Sequence, residues 1–160
     1  MRFTTISLLL LATGILFSRC SDDFIYDEQV DIPGQSWAYE DTLTFNFTID
    51  DATKIYSLAL DVTHSVDYSF QNLYAQFYTH FPSGKTETQL VSLELAKKSG
   101  TWNGGCGGQW CTAEIALQPK AIFEETGAHQ IKIVQYMRQS PLTGLKSMAL
   151  KIKPVGMREQ

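Results

Sequence analysis

The 160 residues contain no apolar run of the roughly 18 to 20 residues that a spanning helix requires, no basic surplus and only three cysteines. A transmembrane helix is therefore excluded. A net charge of −4, with Lys and Arg scattered singly or in pairs, leaves no electrostatic footprint for nucleic acid or for an anionic membrane surface. Several catalytic signatures are missing as well. There is no Gly-x-Ser-x-Gly elbow and no Gly-Lys-Ser/Thr phosphate loop, and His64, His80 and His129 stand singly, without metal-ligand spacing to a cysteine. No internal repeat occurs, and no segment carries a helical apolar stripe long enough for a stable amphipathic helix. What is present is 44% hydrophobic and 12% aromatic residues, enough for one folded core and too apolar for a disordered chain. We expect no enzyme, cofactor, metal or small-molecule substrate.

The first residues read as an address. Arg2 supplies a short positive region and Ile6 to Phe17 an apolar stretch of twelve residues, the layout of an export signal. The stretch ends at Phe17-Ser18-Arg19-Cys20, which resembles the lipobox of bacterial lipoproteins, where the cysteine thiol is acylated and becomes the first mature residue. Ser21-Asp22-Asp23-Phe24 resembles the acidic export signal of Bacteroidetes surface lipoproteins. That resemblance implies an anchor of acyl chains on Cys20 in the outer membrane, on its periplasmic or its surface leaflet, with no spanning helix. Removing residues 1–19 leaves 11 Lys+Arg against 17 Asp+Glu, a balance of −6. Residues 20–35 read as an acidic tether.

From residue 36 apolar residues recur at every second position, the pattern of half-buried strands. Leu43, Phe45, Phe47 and Ile49 share one face, and after the Asp50-Asp51 turn signal Tyr56, Leu58, Leu60 and Val62 repeat it, which predicts a hairpin. Further sets start at Leu73, Val91, Ala113, Ile131 and Met148, and Trp37 suggests one more near the start. Lys120 to Glu125 has room for one helical turn. The fold class this predicts is all-β, an antiparallel β-sandwich of about seven or eight strands over residues 36–154, with a tail at 155–160.

The most unusual stretch runs from Trp102 to Cys111 and holds both cysteines of the folded part among four glycines. Exported chains meet oxidising conditions, so a Cys106–Cys111 disulfide is expected. Glycine there supplies left-handed backbone at a bend, and Trp102 and Trp110 either cover the edge of the core or form an exposed platform for a sugar or a protein.

An ordered set of pieces then carries a resemblance. Asp67-Tyr68-Ser69-Phe70-Gln71-Asn72-Leu73-Tyr74 is followed by Leu95-Ala96, by Gly100-Thr101-Trp102-Asn103-Gly104, and by Gln135-Tyr136-Met137-Arg138 before Leu142-Thr143-Gly144. This order resembles the gliding-motility lipoprotein GldH family, over about residues 22–154. The sequence departs from that family's usual pattern at Thr63, at Ala149 and in its cysteine pair. The resemblance implies a small acylated β-sandwich, not an enzyme, needed for gliding and linked by protein contacts to the motility and type IX secretion apparatus. A surface glycan-binding module is the alternative. Among the family positions, Asn72 is expected to bond backbone groups at a bend. Arg138 is expected to lock a loop carbonyl or carboxylate inside the domain, in preference to binding a partner. Tyr68 and Trp102 are expected to pack.

Overall fold

In the computed structural model, which describes residues 23–159, side chains alternate between more and less buried positions along Leu43–Ile49, Lys54–Ser65 and Gly127–Gln135, while Tyr26–Asp31, Thr86–Glu94 and Gly105–Gly107, at sheet edges, are mostly exposed. The strands, in chain order, are β1 (Tyr26–Asp31), β2 (Ser36–Trp37), β3 (Leu43–Ile49), β4 (Lys54–Ser65), β5 (Asn72–His80), β6 (Thr86–Glu94), β7 (Gly105–Gly107), β8 (Trp110–Ile122), β9 (Gly127–Gln135), β10 (Leu142–Thr143) and β11 (Leu145–Met157). A five-stranded sheet has the order β1-β11-β4-β8-β7, a four-stranded sheet has β3-β9-β5-β6, and β2 pairs with β10 in a small ribbon. Every pairing is antiparallel. Phe45, Ile49, Leu73 and Ile133 from one sheet and Leu60, Val62, Met148 and Leu150 from the other meet in one core, which makes the molecule an antiparallel β-sandwich.

The alternation is therefore a good guide to where strands lie, and a poorer one to how they pair. The hairpin predicted at Asp50-Asp51 does not form. β3 pairs with β9, while β4 pairs with β11 and β8 in the other sheet. Both strands carry a full apolar face, and residues 50–53 pass the chain from one side of the core to the other so that each can bury it. Asp51 shapes this crossover: its Oδ1 accepts the Thr53 amide at 2.9 Å, and its carbonyl accepts the Tyr56 hydroxyl at 2.8 Å.

Three boundaries move. Residues 26–31, read as tether, form an edge strand in register with β11, from Tyr26 opposite Ile152 to Asp31 opposite Ser147. Four of its six residues are exposed, which is why it shows no strong alternation in the sequence. At the other end β11 runs past 154 to Met157, opposite Lys54. Residues 120–125 make no helical turn, because β8 continues to Ile122 and the two-residue period of Ala121 and Phe123 puts both side chains into the core.

Candidate functional site

Gln135 ends β9 with its side chain almost wholly buried, and both halves of its amide hold the chain that follows. Its Oε1 accepts the Met137 amide at 2.9 Å and its Nε2 donates to the Gln139 carbonyl at 3.1 Å. The Tyr136 amide donates to the Tyr74 carbonyl at 2.8 Å, extending the ladder onto β5. From the other side, Tyr39 donates its hydroxyl to the Met137 carbonyl at 2.8 Å and its amide to Ser140 Oγ at 3.1 Å. A loop tied at this many points is preorganised rather than slack.

Tyr39, Tyr74 and residues 135–139 wall a groove of about 930 Å³ with Phe70 and Leu90. Tyr39, Tyr74, Leu90 and Tyr136 each keep roughly half of their surface open. Four large hydrophobic side chains are thus left open around one groove, an exposed apolar patch. Arg138 is the one charged residue of the lining, is exposed, and forms no ion pair or hydrogen bond among the described residues. The lock expected of Arg138 is thus made by Gln135, whose amide already satisfies the loop and leaves the guanidinium no buried acceptor to seek. Leu90 carries the groove onto β6, an edge strand with neither proline nor lysine.

The groove and the start of β1 lie at opposite ends of the sandwich. Tyr26 packs on Phe47 at 5.7 Å between ring centroids, and Phe47 stands opposite His129. Gln135 lies six residues further along the same strand, about 20 Å away at the usual rise per residue.

The other family positions are structural. Tyr68 is buried against His64 and Phe70, with centroids 5.9 and 5.7 Å away, and burial pushes its phenol well above the usual range. Leu73 is fully buried. Asn72 does not bond the bend as expected. As the first residue of β5 it reaches across the sheet, its Nδ2 donating to Ser92 Oγ at 3.1 Å. Gly100 and Gly104 both take positive φ, +84° and +75°. Trp102 donates its indole N–H to the Val66 carbonyl at 3.1 Å and packs on His64 at 4.5 Å.

The aromatic platform proposed for the indoles is not an open one. Trp102 is packed as described, and the Lys146 ammonium lies 5.3 Å from the Trp110 ring centroid. Cys106 and Cys111 face each other across the β7–β8 hairpin and are disulfide-bonded. His64 is fully buried, its Nδ1–H donating to the Ser65 carbonyl at 2.9 Å while Nε2 has no partner. Burial holds this imidazole below the usual histidine range. No group of three metal-ligating side chains occurs among the described residues. The expected acylation residue Cys20 and, of the expected export signal Ser21-Asp22-Asp23-Phe24, Ser21 and Asp22 lie outside the described residues, while Phe24 sits beneath the Lys153 ammonium, 5.3 Å from its ring centroid.

The groove draws on residues 39, 70, 74, 90 and 135–139, four segments distant in sequence, so no local pattern announces it. The clue within reach was Tyr136-Met137-Arg138, two large apolar side chains and a cation at the end of a predicted strand.

Comparison with known proteins places the chain. The gliding motility lipoprotein GldH of Flavobacterium johnsoniae is 30% identical over 159 residues, covering 99% of this chain and 97% of that protein. A GldH homolog of Christiangramia forsetii is 28% identical over 132 residues, 82% of this chain and 80% of its own. Among solved structures, a chain of the infectious bursal disease virus Gx strain aligns with a TM-score of 0.36 and 16% identity, covering 81% of this chain and 31% of that chain. That likeness is too weak to bear on fold or function. The sequence profile described as GldH lipoprotein matches residues 24–152, and the chain belongs to the GldH lipoprotein family.

Proposed function

We propose that this protein is a non-enzymatic lipoprotein of the outer membrane, held by acyl chains on Cys20, that works by protein contact within the gliding motility and type IX secretion machinery. The observation that carries the contact reading is the groove around Arg138: a preorganised apolar surface with one uncommitted cation, at the end of the domain away from the anchor. A cation beside exposed aromatic rings suits a partner segment that brings an apolar side chain together with a carboxylate. Tyrosine and arginine are also the side chains most enriched at the energetic centre of protein interfaces.

Two experiments test this. In cells lacking the native copy, Arg138→Glu and Tyr136→Ala should abolish colony spreading at unchanged protein level and remove partners recovered by chemical crosslinking. Normal spreading with both variants would refute the groove as the contact. Metabolic labelling with a fatty acid should mark the wild type and leave Cys20→Ala unlabelled; equal labelling refutes the anchor. The glycan-binding alternative now rests on Tyr39, Tyr74 and Tyr136 as stacking faces rather than on the indoles, and a glycan array without a ligand removes it.

A further inference from the structure

The exposed large hydrophobic residues of the described chain fall into two sets of four. One lines the groove. The other is Ile25, Ile122, Val155 and Met157, between 44% and 61% exposed, and it gathers at the opposite end of the five-stranded sheet. The strand register puts them there. Ile25 donates its amide to the Ile152 carbonyl at 2.9 Å, Ile122 stands opposite Ile55, Met157 stands opposite Lys54, and Val155 occupies the bulge between Pro154 and Gly156. Three strand intervals separate β1 from β8, about 14 Å, so the four residues span one end of the sheet.

The chain leaves the domain toward Cys20 at this same end. Resting on the reading of Cys20 as the acylated residue, we infer that this apolar end lies against the lipid bilayer, with Ile25, Ile122, Val155 and Met157 in the interfacial region. Chain length is the first argument. Cys20 is five residues before Ile25, at most about 18 Å of extended chain, so the leaflet holding the acyl chains is the surface kept within reach of the patch. Charge is the second. Lys54 pairs with Asp51 at 3.7 Å, Arg158 with Glu124 at 3.4 Å, and Lys153 covers the Phe24 ring. Three of the four cations of this end are thus engaged within the protein, and Lys120, exposed on β8, is the one without an ion pair among the described residues, so attraction to a membrane here is chiefly apolar contact rather than recognition of anionic headgroups. Half-open aliphatic side chains at an interface provide the second, weaker membrane signal that supplements acyl chains.

The test uses the full acylated protein in zwitterionic phosphatidylethanolamine/phosphatidylcholine vesicles. Because Cys20 is acylated and Cys106 and Cys111 are bridged, Val155→Cys, Met157→Cys and Tyr136→Cys each provide a single thiol for an environment-sensitive fluorophore. Tyr136 is as exposed as the other two but lies at the groove. Spin-labelled lipids should quench the label at 155 and at 157 about threefold or more above that at 136, as burial at the headgroup boundary demands. Flotation with the vesicles but equal quenching at all three positions overturns this inference alone. Failure of every variant to float overturns the anchor reading, and this inference with it.

Discussion

Gly104 separates two effects that glycine substitutions usually mix. Its backbone has φ +75°, and a Cβ placed there would overlap the Thr112 carbonyl oxygen and come within 2.9 Å of the carbonyl carbon and 3.1 Å of Ala113 Cα. All three atoms are backbone of β8, which cannot swing aside as a side chain can. Gly108, at the tip of the same hairpin, has φ +61° and nothing within 4 Å of such a Cβ. Left-handed backbone costs a non-glycine residue about 1 kcal/mol in either place. Only at Gly104 does steric displacement add to it, by about 1 to 3 kcal/mol. Gly104→Ala should therefore destabilise by about 3 kcal/mol and Gly108→Ala by about 1. For a domain of this size that is a fall in Tm of about 10 °C against about 3 °C. Urea unfolding of the oxidised mature chain, followed by tryptophan fluorescence, measures both, with an unchanged slope as the sign that only stability has moved. Equal losses at the two positions would refute the reasoning, since they would mean that the approach to Thr112 does not constrain the loop.

Three further outcomes follow from the buried polar groups and the disulfide. His64 is held below its unfolded pKa by burial, so its share of stability is complete above about pH 6.5 and is lost as pH falls from there toward its folded value. Chemical denaturation between pH 7.5 and 5.5 should show this decline, with a slope of at most about 1.4 kcal/mol per pH unit, and His64→Gln should flatten it; an unchanged slope would assign the decline to another group. Lys151 bonds Asp61 at 2.7 Å and lies 3.5 Å from Glu114 on the outer side of the five-stranded sheet. Lys151→Met should cost about 1 to 2 kcal/mol by leaving two carboxylates without their cation, more than Asp61→Asn costs; the reverse order in a thermal melt would contradict this. Reducing the Cys106–Cys111 bridge should cost about 2 kcal/mol by the loop-entropy estimate while the far-UV circular dichroism persists, and loss of the spectrum would show the bridge to be required for folding.

β3, β4, β5, β8, β9 and the middle of β11 are legible because each buries one face, and burying one face of a strand imposes a period of two. β1 is not, since an edge strand reading Tyr-Asp-Glu-Gln-Val-Asp buries little and looks like a tether. Pairing is less legible still: β3 and β4 have the composition of a hairpin and are divided between sheets by contacts far along the chain. The site suffers most from this. Gln135 and Arg138 belong to one short motif, and which is the lock and which the open cation depends on the carbonyl of Gln139 and on Tyr39, nearly a hundred residues upstream.

The pairing of β1 with β11 also decides how the domain would respond to mechanical load. Were Cys20 acylated and a partner held in the groove, as proposed, tension between them would draw on the Tyr26 end of β1 along the strand's own axis and pull the rest of the sandwich the opposite way. Force applied in that direction slides β1 past β11 rather than peeling it away, so the six paired positions from Tyr26 to Asp31 resist together instead of failing one after another. The same strand attached at its Asp31 end would open rung by rung. Under such a load, where what counts is the rate of forced opening, β1 would act as a shear clasp between the proposed anchor and the proposed contact surface.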